Sequence, residues 1–136
     1  MMQTLNDIKA LNSALMRRQP LVAVFFGSTG GIGLATIREL AKAAASSGQG
    51  LRAYIVARDT KAGEGILTEC KELYPNGQFK YIKAKDLSLL KDVDRICVEI
   101  TQMEEGEGGG NARIDYLMVA QGGTPFTNRI GKPSPR

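Results

Sequence analysis

Apolar residues along this chain fall into two kinds of run. Leu21-Val22-Ala23-Val24-Phe25-Phe26 is apolar on successive positions and the stretch 51–57 is apolar on both faces, the pattern of strands buried on both sides. Elsewhere the apolar positions recur every three or four residues. Leu5, Ile8, Leu11 and Leu15 predict an amphipathic helix over 3–17. Arg17-Arg18-Gln19-Pro20 closes it, because the residue before proline avoids the helical region. A second helix is expected over about 31–46, ended by Ser46-Ser47-Gly48-Gln49-Gly50. A third, over 60–74, carries Ile66, Leu67, Cys70 and Leu73 on one side. Gly63 and Gly65 weaken it by roughly 1 kcal/mol each relative to alanine. Pro75-Asn76-Gly77 reads as a turn into a strand over 78–84. The fourth helix starts at Ser88 as N-cap and carries Leu89, Leu90, Val93, Ile96, Cys97, Ile100 and Met103, the cleanest helical period in the chain. The acidic, glycine-rich run Glu104 to Asn111 reads as a flexible surface loop before a last strand over 114–120.

After its leading helix the order is β-α-β-α-β-α-β. Such alternation predicts an α/β fold with a parallel sheet and right-handed crossovers, in strand order 3-2-1-4. The expected organisation is an N-terminal helix and linker over 1–20, a partial Rossmann-like nucleotide-binding domain over 21–123 ending after strand four, and an extended or disordered tail over 124–136.

Composition narrows the chemistry. The chain has 136 residues, 43% hydrophobic and 24% charged, which suits one domain with one core. No apolar run approaches the ~20 residues of a membrane helix, so no membrane association is expected. The first 18 residues lack the compact apolar centre of a signal peptide. Cys70 and Cys97 have neither metal-ligand nor disulfide-framework spacing, and a reducing, cytoplasmic location is expected. With no histidine in the chain, imidazole catalysis within it is excluded. The net charge of +4 is scattered rather than gathered into a basic stripe with aromatics, so nucleic acid is not an expected partner.

The strongest chemical signal is Gly27-Ser28-Thr29-Gly30-Gly31-Ile32-Gly33, set between a buried strand and an Ala/Leu-rich helix. A glycine turn lets the backbone bend sharply and approach a pyrophosphate. The helix N-terminus then offers free N–H groups and a partial positive charge to the anion.

From these residues the chain resembles the short-chain dehydrogenase/reductase family, particularly its fungal NADP-dependent members, over about residues 20–129. In that family the first strand ends in T-G-x-x-x-G-x-G. Here Gly27, Gly31 and Gly33 match and Phe26 replaces the threonine. The resemblance implies that Gly27, Ser28, Thr29, Gly30, Gly31, Ile32 and Gly33 hold the cofactor phosphates. It implies NADP or NADPH in preference to NAD, since Arg58 stands where NAD-preferring members have an acid for the ribose 2′-OH. Asp86 and Leu87 correspond to the pair that touches adenine, although Asp86 also suits a capping role beside Ser88. Asp115 to Gly122 matches the D-x-L-x-N-N-A-G strand, with Val119, Ala120 and Gln121 in place of Asn, Asn and Ala and with Gly122 retained. Ala120, Gln121 and Gly122 thus complete the implied cofactor contacts.

The family moves hydride between nicotinamide and a small-molecule carbonyl or alcohol, using a Ser-Tyr-Lys centre on or after strand five. That centre is expected to be absent here, leaving no catalytic residue in the chain. Tyr81-Ile82-Lys83-Ala84-Lys85 fits Y-x-x-x-K, but its alternation belongs to a strand, and the reductase motif needs a helix. The same glycines also fit G-x-x-G-x-x-G through Gly27, Gly30 and Gly33, a spacing of relatives that sense NADP without using it. Asp115, Leu117 and Ile32 favour the catalytic branch. A last expectation is an uncovered edge at strand four, open to self-association through Leu117, Met118 and Val119.

Overall fold

The computed structural model describes residues 2–27, 30–107 and 112–120. Eight elements follow in the order α1 (Leu5–Arg18), β1 (Leu21–Phe26), α2 (Gly31–Ser47), β2 (Leu51–Ala57), α3 (Thr60–Leu73), β3 (Gln78–Lys83), α4 (Leu90–Glu107) and β4 (Tyr116–Val119). The strands form one parallel sheet in the order β3-β2-β1-β4, as the alternation predicts.

Because β1 is apolar at every position and β2 at all but Arg52, each feeds both faces of the sheet. On one face Ala23 and Phe25 of β1 and Ala53 and Ile55 of β2 pack with Ile37 and Ala41 of α2 and with Ile66 and Cys70 of α3. On the other, Val24, Phe26, Tyr54 and Val56 pack with Ile82 of β3 and with Ile96 and Ile100 of α4. Among the described residues, α2 and α3 thus cover the first face and α4 alone covers the second. Cys70 and Cys97 ride on helices of opposite faces, Cys70 buried and Cys97 exposed.

The α1 helix forms where expected, opened by a capping box in which Asp7 and Thr4 bond each other's backbone N–H. Its apolar stripe is not core, however. Leu5, Ile8, Leu11 and Leu15 are exposed, and Met16 is its buried residue. The helix reaches the body through its last turn, where the Met16 carbonyl accepts from the Gln49 N–H.

Two sequence expectations are corrected around α4. It begins at Leu90 rather than Ser88, because the Ser88 hydroxyl donates to Asp86 Oδ1 at 2.6 Å and ties Ser88 into the preceding turn. It also runs on to Glu107, through half of the supposed surface loop. Glu104 is buried and takes Arg52 Nη2 at 2.7 Å and the Tyr54 hydroxyl at 2.6 Å, which orders this stretch as helix. Residues 108–111 and the tail 124–136 lie outside the described residues.

Candidate functional site

All four parallel strands end at the same rim of the sheet, where open α/β folds bind ligands. Hydrogen bonds between the ends of neighbouring strands knit this rim together. Gly27 N–H donates to the Val56 carbonyl at 2.8 Å, Ala84 N–H to Ala57 at 2.9 Å and Ala120 N–H to Phe26 at 2.8 Å.

The chain leaves β1 through Gly27 at φ 71° and enters α2 through Gly31 at φ 61°, both in the left-handed region that side chains disfavour. Gly30, the N-cap, is extended at φ −162°, a conformation open to any residue. The two strained positions therefore coincide with the first and second glycines of T-G-x-x-x-G-x-G, not with the middle glycine of the alternative spacing. A Cβ on Gly30 or Gly31 would meet nothing within 4 Å, so the space before the turn is open. Among the described residues no side chain caps α2, and its first turn holds no acid. Its leading N–H groups are left for an outside anion, which suits a phosphate. Ile32 points outward from this turn and is 80% exposed, while Gly33 is buried.

At the end of β2, Arg58 is exposed, and among the described residues no hydrogen bond or ion pair engages its guanidinium. The adjacent Asp59 is committed elsewhere, since its carboxylate accepts from Lys61 and Ala62 N–H as the α3 N-cap. At the end of β3, Asp86 Oδ1 accepts from both the N–H and the hydroxyl of Ser88, a bond within the turn before α4 rather than the helix capping beside Ser88 that the sequence offered. Leu87 is half-buried against the α4-side core. Ala120 lies at the end of β4, half-buried. Ser28, Thr29, Gln121 and Gly122 lie outside the described residues. The rim thus brings together Gly27, Gly30, Gly31, Arg58, Asp86, Leu87 and Ala120.

The Tyr81/Lys85 pair stays apart from any such role. Tyr81 lies on β3 and donates to the Ala57 carbonyl at 2.9 Å, and Lys85 follows in the loop.

Two functional-looking residues escaped the sequence reading. Asp92 of α4 is buried, and its Oδ2 accepts from Lys85 N–H at 2.7 Å and Asp86 N–H at 3.0 Å. Its Oδ1 takes Arg95 Nε at 2.9 Å, and Arg95 Nη2 donates to the Lys83 carbonyl at 2.9 Å. The backbone bond from Asp86 leads in holding the Asp92 carboxyl below its ordinary range, against a smaller opposing effect of burial. A signal existed. Asp92 and Glu104 fall in phase with Ile96 and Ile100 at four-residue steps, and an acid on a buried stripe implies a partner.

A parallel sheet in this order, with a glycine turn opening its second helix, defines a Rossmann-like nucleotide-binding fold. No family model matches the chain. Oxidoreductase AN1596 of Emericella nidulans is 33% identical over 128 residues, which is 94% of this chain and 35% of that protein. Short-chain dehydrogenase/reductase SAT2 of Stachybotrys chartarum is 35% identical over 120 residues, 87% of this chain and 34% of that protein. Among solved structures, L-sorbose reductase of Gluconobacter frateurii, complexed with NADPH and L-sorbose, superposes with a TM-score of 0.57 at 27% identity, over 80% of this chain and 35% of the reductase. The chain is a relative of the short-chain dehydrogenase/reductases and spans about a third of the length of those it matches.

Proposed function

We propose that this chain binds NADP(H) at the carboxyl rim of its sheet and is the adenine-binding part of an oxidoreductase. The reaction of such a protein is hydride transfer between the nicotinamide and a small-molecule carbonyl or alcohol. Within this reading the described rim residues of this chain contribute cofactor binding. The observation that carries this reading is the pair of left-handed glycines, Gly27 and Gly31, at the mouth of an uncapped helix.

Each rim residue then has a role. The N–H groups at the start of α2 take the pyrophosphate. The guanidinium of Arg58, unengaged among the described residues, suits a ribose 2′-phosphate, through a charge-assisted fork that an NAD ribose does not offer. Asp86, Leu87 and Ala120 line the remainder. Within this reading the bound dinucleotide supplies the hydride chemistry, and the protein residues bind and orient it.

Calorimetric titration of NADP⁺ and NAD⁺ into the wild type and into Arg58→Asp tests the reading. The wild type is expected to prefer NADP⁺ and the variant to lose that preference. An unchanged ratio removes Arg58 from the site, and a wild type that binds neither dinucleotide overturns the assignment.

A second reading is favoured by β4, whose Leu117 and Val119 are 57% and 59% exposed at the sheet edge. Under it the chain is a non-catalytic module that pairs with another chain, a second copy included, through that edge.

A further inference from the structure

Asp92 is an unusual residue for the first turn of a helix to bury. A carboxylate taken out of water is costly unless its oxygens are engaged. The α4 helix does not need this one for its own start: Leu89 N–H bonds the Asp86 carbonyl, and Asp92 and Val93 N–H bond the Leu89 carbonyl. The Asp92 side chain instead reaches back over the helix start and gathers two consecutive N–H groups, Lys85 and Asp86, on one oxygen. Arg95, one turn along, completes the bracket by neutralising the other oxygen and holding the Lys83 carbonyl. Backbone 83–86 is therefore pinned at both ends from α4.

The pinned segment is the carboxyl end of β3, two strands over from the glycine turn. At ~4.8 Å per strand it lies about 10 Å from that turn across the rim. A dinucleotide whose pyrophosphate rests at α2 and whose ribose lies by Arg58 extends its adenosine end toward this segment. A shift of the 83–86 backbone would then change the adenosine end of the site and leave its phosphate end untouched.

We infer that Asp92, with Arg95 as its counter-ion, is the positioning residue for adenosine recognition, acting through the backbone of 83–86 and not by touching the ligand. The inference rests on the NADP(H)-binding reading. It adds a residue to the site that matches no part of the glycine or strand motifs, and it predicts that the two ends of the site are separable.

The test is a nuclear magnetic resonance titration of the chain with two probes, 2′,5′-ADP and inorganic pyrophosphate. The proteins are the wild type, Asp92→Asn and Arg95→Gln. Asparagine keeps the shape but surrenders an anionic acceptor. Asp92→Asn is expected to weaken 2′,5′-ADP about tenfold, as loss of a supporting interaction behind a ligand contact does elsewhere, and to leave pyrophosphate binding unchanged. Equal weakening of both probes means a general loosening of the fold and overturns the inference, as does unchanged 2′,5′-ADP affinity. A wild type that binds neither probe overturns the parent reading, and this inference with it. Should Asp92→Asn lose its fold, Arg95→Gln carries the same comparison, because Arg95 is exposed and its loss leaves both amide bonds to Asp92 in place. The same selective weakening is then expected, smaller in size.

Discussion

Two glycines in α3 look alike in the sequence and differ entirely in their surroundings. A Cβ on Gly63 would lie 2.2 Å from Tyr81 Cε2, whereas one on Gly65 meets nothing within 4 Å. The Tyr81 ring lies over Gly63 because its hydroxyl is held by the Ala57 carbonyl, so the ring has little room to retreat. Gly63→Ala is expected to destabilise by about 1–3 kcal/mol through overpacking. Gly65→Ala is expected to stabilise by about 0.5–1 kcal/mol, since it only removes backbone freedom in a helix. Urea denaturation of the two variants checks both signs at once, and equal effects would refute the packing argument.

At the scale of the element, α4 carries its chemistry on a stripe with an acid at each end, Asp92 toward the rim and Glu104 toward the opposite end of the sheet. Burial pushes the Glu104 carboxyl up. The hydrogen bonds from Arg52 and Tyr54, with the Arg52 and Lys80 charges, outweigh it and leave the group below its ordinary range. Glu107 is lowered as well, chiefly by its hydrogen bond from Lys80. A carboxyl lowered in the folded state adds stability above its unfolded pKa and loses it as pH falls through the folded one. The melting temperature is therefore expected to hold above about pH 5 and to fall below about pH 4. Glu104→Ala, which leaves Arg52 the looser 3.9 Å ion pair to Glu107, is expected to cost about 3 kcal/mol. Thermal melts across pH, with that variant beside the wild type, decide the point; an acid limb of equal depth in both would reject the role given to Glu104. The alkaline side has its own limb. Burial raises the Cys70 thiol from 9.0 to about 11, so the stability it lends is whole below pH 9.0 and declines as pH rises through that window. Cys70→Ala should blunt the alkaline decline.

These elements also mark how far the sequence could be read. The apolar runs of β1 and, apart from Arg52, of β2 and the glycine turn are local patterns, and local patterns carry strand, turn and helix start directly. Asp92 and Glu104 were missed because their partners lie 7 and 52 residues away, at Lys85 and Arg52. Gly63 looked like a defect for the same reason, since its cause sits on β3. The α1 stripe shows the converse: its period specified a helix, while nothing in a period says whether another surface arrives to bury it.

For the whole molecule the decisive feature is asymmetry. Among the described residues, one face of the sheet lies under α2 and α3 and the other under α4 alone, with Leu117 and Val119 exposed at its edge. Replacing both with lysine is expected to lower hydrophobic-dye binding and concentration-dependent association, read by fluorescence and light scattering. A wild type that stays monomeric and binds no dye would count against the edge as a docking surface. The outermost strand is also the most lightly fastened. Besides its ladder with β1, β4 is anchored by Asp115, whose Oδ2 accepts from Val22 N–H at 2.8 Å and which is itself engaged by Arg113. Thermal opening should accordingly begin there, as an unzipping in which the amides of 116–120 exchange with deuterium ahead of those in β1 and β2. Since Ala120 hangs from Phe26, each such excursion strips one wall from the rim and turns the deepest strand of the sheet into its border.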